Sequence, residues 1–385
     1  MLYRKLGKTN VESSVLGFGA MRLPMVGTHG PTAGFDPNVP IDETEAVKMV
    51  EHAVEQGVTY FDTAYGYHGG KSEVFLGKAL RPHRSKVMIA TKLPTWLVEK
   101  TEDMERLFNE QLQKLGVDYI DCYLVHGLGS GNWPKIREKG VLEFLEKLRS
   151  TGRIRFAGFS FHDEIRVFKE IVDAYDWSLC LVQYNFYDCD YQAGTDGIAY
   201  AAARDIGIVV MEPLRGGKLV DKIPPEVQEL WNGAPARKDP VEWAMRWVWN
   251  NAHVTTVLTG SSSLAQLATH TRLADHAMAD SLTPAEFELF EKVRQTYRKM
   301  LKVDCTGCAY CMPCPVGVDI PQNLNMYNDS FLFKSTESNA FLYSQFLSPE
   351  QRASNCTDCQ TCVEKCPQKI NIPRELVEVQ KLFEG

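Results

Sequence analysis

Apolar positions along residues 15–275 follow two periods that take turns. Short β-branched or aromatic runs at 15–19, 59–63, 87–92, 118–126, 154–160, 179–185, 207–214 and 254–260 alternate with stretches of helical spacing near 42–56, 72–80, 102–115, 138–151, 163–174, 196–205, 240–251 and 263–274. The first helical stretch carries Ala46, Val47, Val50 and Val54 along one side and stops at Gly57. Runs such as 208–211 and 254–258 are apolar almost without interruption, as parallel strands covered on both faces require. Eight strand–helix units in this length predict an α/β fold, a closed (β/α)8 TIM barrel; an open doubly wound sheet carries the same alternation. The pattern then changes. Residues 284–302 place Phe287, Phe290, Val293, Tyr297 and Leu301 at helical spacing, and no strand-like run follows them. The expected organisation is a barrel over 1–282, a linking amphipathic helix over 283–303, and a small, mainly α-helical domain over 304–385.

Charge and composition narrow the partners. The formal charge is -7 with a pI near 5.8, and no Lys/Arg-rich run offsets it, so neither nucleic acid nor an anionic membrane is the expected partner. The first residues lack the apolar core and small-residue cleavage site of a signal peptide, and no apolar run is long enough to span a bilayer. A cytoplasmic protein acting on a small molecule is expected. Of eleven cysteines, eight lie between Cys305 and Cys366 in two tight groups, a spacing that reads as metal ligation rather than disulfides. Cys122, Cys180 and Cys189 have no such pattern and read as buried thiols.

Titratable residues stand where the strands should end. Asp62 closes the run 59–62, and Tyr67 follows in a loop with Gly66, Gly69 and Gly70. Lys92 closes the run 87–92 and His126 the run 119–126. Strand ends of α/β folds are where chemistry is placed.

Those residues, with their neighbours, resemble the aldo-keto reductases over roughly residues 1–275. The resemblance is carried in order by Phe61-Asp-Thr-Ala-Tyr-Gly-Tyr67, Thr91-Lys92, Asp118-Tyr-Ile-Asp-Cys-Tyr-Leu-Val-His126, Gly152-Arg-Ile-Arg-Phe-Ala-Gly-Phe-Ser160 and Gly260-Ser-Ser-Ser263. It implies a catalytic tetrad of Asp62, Tyr67, Lys92 and His126, a nicotinamide cofactor and a carbonyl substrate. Hydride delivery to a carbonyl carbon leaves charge on the oxygen, which donors and a proton must meet. In this reading Tyr67 gives the proton, Lys92 eases its loss, Asp62 holds Lys92, and His126 orients the carbonyl.

The same resemblance implies nicotinamide contacts at Ser160 and Gln183. Phe161 stands where Asn is usual, with His162 next, which either substitutes for it or begins the following helix. Met211 replaces the usual stacking aromatic. Leu214, Arg215, Gly217 and Lys218 after the seventh strand, and Gly260, Ser261 and Ser262 after the eighth, lie where barrels bind phosphate, or are plain turns. Gln266 and His270 stand where Arg and Asn commonly grip the adenosine end. NADPH is the expected cofactor and NADH the alternative, with Ser261, Arg215 and Lys218 as candidates for the phosphate.

The tail repeats itself. Cys305, Cys308, Cys311 and Cys314, followed by Pro and then Val-Asp-Ile-Pro, recur as Cys356, Cys359, Cys362 and Cys366, followed by Pro and then Ile-Asn-Ile-Pro. The tail resembles the helical two-cluster ferredoxins and implies two 4Fe-4S clusters, one on Cys305, Cys308, Cys311 and Cys366, the other on Cys356, Cys359, Cys362 and Cys314. The first group closes with two intervening residues, Met312 and Pro313, where three are usual. Zinc is the competing occupant, although its sites usually join two separated Cys pairs. The expected function is NAD(P)H-dependent carbonyl reduction fused to clusters that are structural or serve a redox partner protein. The alternative is a redox sensor or electron-transfer module whose barrel binds nucleotide without turnover.

Overall fold

The computed structural model describes residues 1–27, 39–221, 223–234, 236, 238–305, 307, 310–366 and 368–385, so Cys308 lies outside the described residues. The chain divides into two compact units, Met1–Gly217 with Asp239–Leu282, and Lys218–Lys238 with Thr283–Gly385.

In the first unit a hairpin of β1 (Tyr3–Lys5) and β2 (Glu12–Ser14) precedes eight parallel strands: β3 (Leu16–Gly19), β4 (Tyr60–Asp62), β5 (Met88–Leu93), β6 (Ile120–Leu128), β7 (Ile154–Phe161), β8 (Leu179–Gln183), β9 (Gly207–Met211) and β10 (Val254–Thr259). They close in the order β10-β3-β4-β5-β6-β7-β8-β9, which decides between barrel and open sheet in favour of the barrel. The helices are α1 (Glu43–Glu55), α2 (Ser72–Leu80), α3 (Thr101–Leu115), α4 (Trp133–Glu138), α5 (Val141–Ser150), α6 (Ile165–Asp173) and α7 (Gly194–Ala202), then α8 (Pro225–Asn232), which belongs to the second unit, α9 (Pro240–Asn250) and α10 (Leu264–Ala274). The single helix expected at 138–151 is broken, because Gly140 adopts a φ of 81° between α4 and α5. The strand expected at 207–214 ends at Met211, where Glu212 turns into the left-handed region with φ 54°.

Helix ends follow local chemistry. Asp42 accepts from Glu45 N at 3.2 Å to start α1, and Asp239 from Val241 N at 2.8 Å to start α9. Gly116, at φ 63°, ends α3. The helices then bury their apolar faces on the sheet in one core that includes Phe61, Ile89, Phe108, Phe159, Trp177 and Trp249. Helices α2 and α3 approach closely at Gly77, where a Cβ would stand 2.1 Å from the Leu115 carbonyl oxygen. Gly77→Ala should therefore force backbone apart and cost about 1–3 kcal/mol or more, read as an earlier urea midpoint with unchanged slope.

The second unit is helical: α8, α11 (Pro284–Lys299), α12 (Ile320–Leu332), α13 (Thr336–Phe346), α14 (Thr361–Lys365) and α15 (Ile372–Phe383). Thr283 and Glu286 form a capping box at the start of α11, and the Trp231 ring meets Phe290 at 5.4 Å. The sequence repeat becomes a structural one. Asp319 caps α12 through Gln322 N at 3.2 Å and Asn371 caps α15 through Arg374 N at 3.4 Å, each followed by Ile and Pro. Both helices feed one core of Val318, Ile320, Leu324, Tyr343, Ile372, Leu376 and Val379. No helix among the described residues is long and apolar enough to cross a membrane.

Candidate active site

Side chains alternate along a strand, so every second residue of a barrel strand points inward. Tyr60, Met88, Ala90, Cys122, Leu124, Leu179, Leu181, Val209 and Leu258 form a separate apolar cluster of such residues, joined by Leu6 of the N-terminal segment. Two positions further along the same strands come Asp62, Lys92, His126, Gln183 and Met211, and Ser160 follows Gly158 in the same way. The polar groups are the last residues of columns that are otherwise apolar.

Among them Lys92 is the hub. Its ammonium donates to Asp62 Oδ1 at 2.7 Å and to the Thr63 carbonyl at 2.7 Å, and reaches the Tyr67 hydroxyl at 3.5 Å. Three donor contacts suit an ammonium, which has three hydrogens, better than an amine. Burial works against that charge, but Asp62 and Tyr67 outweigh it and hold Lys92 above its ordinary value. Burial pushes the Asp62 carboxyl up while Lys92 pulls it down, so the two partners' directions oppose; the ion pair is the state that the three contacts require. Burial also raises the Tyr67 phenol, with Lys92 opposing. Sequence reasoning expected Lys92 to win that contest, whereas desolvation is larger.

His126 lies edge-on to Tyr67, ring centroids 6.2 Å apart. Burial, then Lys92, push it well below the usual imidazole range, which leaves it neutral with one N–H to donate. Asp62 Oδ2 and His126 Nδ1 are buried without a hydrogen-bond partner, atoms of the kind a bound ligand satisfies. Trp96, 59% exposed, packs on His126 at 5.1 Å. Sequence reasoning missed it, while Trp133 and Trp231, aromatics of segments that read as loops, are buried core residues.

A second missed group lies behind Lys92. Glu73 is fully buried, and its Oε1 accepts from Thr91 Oγ1 at 2.6 Å and Gln111 Nε2 at 2.7 Å; Gln111 Nε2 also reaches the Lys92 carbonyl at 3.0 Å. This network fixes the strand that carries Lys92.

The expected cofactor residues divide. Ser160 Oγ accepts from Gly127 N at 2.7 Å and keeps its own hydrogen to donate. Gln183 Nε2 donates to Asp188 Oδ2 at 3.0 Å, leaving its carbonyl. Met211 and Leu214 are half-buried, and His162 is exposed. The Ser160 hydroxyl and the Gln183 carbonyl together offer the donor and acceptor that a nicotinamide carboxamide needs. The groups expected at a phosphate are engaged elsewhere. Arg215 is buried and its Nε donates to Asp188 at 2.8 Å; Lys218, in the second unit, bonds Asp329 at 2.7 Å and Asn339 at 2.9 Å. Ser261 Oγ lies 2.7 Å from Thr259 Oγ1 and 3.1 Å from His270 Nδ1. Burial lowers His270 to about 4, so it is neutral. Gln266 Oε1 accepts from Ser262 N at 2.9 Å. Gly217, at φ 93°, has open space where a Cβ would be.

In the second unit Cys362 is buried, and Cys305, Cys311, Cys314, Cys356 and Cys366 pack against the same core, with Cys359 exposed. The electrostatic neighbours of Cys362 are Cys356, Cys359 and Cys314, so the last cysteine of the first group stands with the first three of the second. Soft thiolates at this spacing fit an iron–sulfur cluster.

Comparison with known proteins agrees with both units. The Aldo/keto reductase family profile matches residues 15–293, and that of the 4Fe-4S dicluster domain residues 304–370. L-galactose dehydrogenase of Arabidopsis thaliana is 28% identical over 284 residues, covering 69% of this chain and 85% of its own length. The uncharacterized oxidoreductase YqkF of Bacillus subtilis is 24% identical over 322 residues, 76% of this chain and 96% of its own. The solved structure of aldo-keto reductase AKR11C1 from Bacillus halodurans, holo form, superposes with a TM-score of 0.62 at 27% identity, covering 76% of this chain and 96% of that one. The chain is an oxidoreductase that belongs to the aldo/keto reductase family and carries a 4Fe-4S dicluster domain after its barrel.

Proposed function

We propose that the barrel reduces an aldehyde or ketone with NAD(P)H, Tyr67 donating the proton. The observation that carries this reading is the buried Lys92 ammonium joining Asp62 to the Tyr67 hydroxyl. A bound reduced nicotinamide supplies the hydride. His126, neutral, donates to the carbonyl oxygen and orients it; Tyr67 gives its proton to that oxygen as charge develops; Lys92 steadies the resulting phenolate. Trp96 beside His126 offers a flat apolar wall, which favours aromatic or other planar carbonyls. The groups expected at a 2'-phosphate are engaged, so NADH should bind within about tenfold of NADPH, a gap of roughly 1.4 kcal/mol.

The test is an anaerobic titration of the cluster-replete protein with each nucleotide, then with an aldehyde panel. Expected are saturable binding, clusters that stay oxidised, and one alcohol formed per nucleotide consumed. Prompt cluster bleaching by nucleotide alone, with no alcohol formed, would defeat the reading in favour of one-electron traffic.

We further propose that Cys314 joins Cys356, Cys359 and Cys362 on one 4Fe-4S cluster, and Cys366 joins Cys305, Cys308 and Cys311 on the other. Cys314→Ser should lower the iron content from about eight toward about four atoms per chain, with the cubane EPR signal of the reduced protein falling in step. Full iron content in that variant would refute the exchange.

A further inference from the structure

His68 directly follows the candidate proton donor, and no step of the reading above uses it. It opens a run of three left-handed residues, with φ 52° against 61° at Gly69 and 84° at Gly70. Glycine takes the other two places, where that conformation carries no steric cost. A residue with a side chain held there points to a use for the side chain. The residue is 1% exposed, and its ring Nε2 accepts from Leu23 N at 3.2 Å. Nε2 therefore carries no hydrogen, and the neutral ring has its N–H at Nδ1. Burial lowers His68 to about 4, with the Met21 backbone opposing, so the acceptor persists through neutral pH.

Met21 and Leu23 belong to the segment that follows β3. That segment is stitched to the strand end carrying Asp62: Ala20 N donates to the Asp62 carbonyl at 2.8 Å, and Ser72 Oγ to the Ala20 carbonyl at 3.0 Å. Leu23 is buried in the barrel core, so its N–H is a fixed point. Tyr67 is thus held from both sides. Its own N–H donates to the Ala64 carbonyl at 3.2 Å, and the next residue is anchored through its ring to Leu23. The contact at stake is the one between Lys92 and the Tyr67 hydroxyl, at 3.5 Å the longest of the three that the ammonium makes. A small backbone shift would break it. We infer that His68 is a positioning residue for the proton donor: its ring latches the Tyr67 loop to the segment after β3 and so sets the hydroxyl against Lys92. The assignment rests on the Tyr67-dependent reading above.

The experiment measures single-turnover reduction of the panel aldehyde that the wild type reduces fastest, beside NADPH affinity, in the full, cluster-replete chain. The variants are His68→Gly, His68→Gln, Tyr67→Phe and the double variant of His68→Gly with Tyr67→Phe. His68→Gly keeps the turn and removes the ring; its rate should fall on the order of tenfold to a hundredfold while NADPH binds within about twofold of the wild type. His68→Gln supplies an amide oxygen that can reach where Nε2 stood, in a conformation this chain already gives Gln192 and Gln360, and should recover part of the loss. In the Tyr67→Phe background His68→Gly should cost nothing further, because a residue acting through the phenol has nothing left to position. His68→Gly turning over within twofold of the wild type would overturn the assignment, and a large loss in Tyr67→Phe beside it would leave the Tyr67 reading intact. An equal weakening of NADPH, or a loss that adds in full to that of Tyr67→Phe, would also overturn it, since the ring would then be shaping the whole site. Unchanged turnover in Tyr67→Phe would overturn both readings.

Discussion

Tyr67→Phe is expected to lower the rate of carbonyl reduction by roughly 10³–10⁴-fold while nucleotide affinity stays within about twofold of the wild type. The variant removes one oxygen and leaves the ring that faces His126, so positioning survives and only the proton source is lost. Burial raises the Tyr67 phenol, Lys92 opposing, so its proton is fully present at neutral pH. The sign of the pH dependence follows. Reduction needs the phenol and should stay flat through neutrality, falling only as pH rises through the elevated Tyr67 value. Alcohol oxidation needs the phenolate and should rise over the same range. His126, held well below its ordinary value, adds no limb near pH 6.5. Stopped-flow single turnovers beside direct binding measurements separate the two quantities. Unchanged turnover in Tyr67→Phe would mean that the barrel's chemistry does not pass through this phenol.

That Asp62, Lys92 and His126 would share the barrel mouth was legible because barrel geometry writes such a grouping into the sequence. Alternation places Tyr60 and Asp62, Ala90 and Lys92, Leu124 and His126 on one inner face, so a titratable residue at the end of an apolar run has nowhere to stand but the barrel mouth. Partnerships across distant segments were not legible. Arg215 reads as a phosphate-loop cation until Asp188 is seen beside it, and Lys218 until Asp329 and Asn339 are, more than a hundred residues away in sequence. Glu73 looks like one more charge on a helix, yet that helix turns it toward Thr91 and Gln111. Trp133 and Trp231 look like loop aromatics but fill cores, because the segments that carry them fold into α4 and α8. Residues 218–238 likewise read as a barrel loop, although their packing groups them with the helical unit. Local pattern shows which face a residue takes; only the folded chain shows which charge meets which.

Asp62→Ala should cost the barrel about 3–5 kcal/mol, the usual result of removing one partner from a buried ion pair. The residue that suffers is Lys92, 1% exposed, which keeps the Thr63 carbonyl and loses its counter-charge. In the wild type the folded Lys92 value is raised above the unfolded one, so the stabilisation from this group is complete below about pH 10.4 and is lost as pH rises through the folded value. In Asp62→Ala the sign reverses. Burial, the largest cause acting on Lys92, is then opposed only by Tyr67, and the folded value drops below the unfolded one. The unfolded chain binds the extra proton, so the variant gains stability as pH rises, and its deficit against the wild type should be widest near neutrality and narrow toward pH 10. Urea unfolding of the barrel at several pH values reads this directly. Adding Lys92→Met removes the stranded charge, so the double variant should be more stable than Asp62→Ala alone although it lacks both polar groups. Such a result would mean that the pair is kept for proton transfer at Tyr67, since an apolar pair would serve the fold as well. A deficit below about 1 kcal/mol that does not change with pH would instead place the pair in contact with solvent, where ion pairs contribute little.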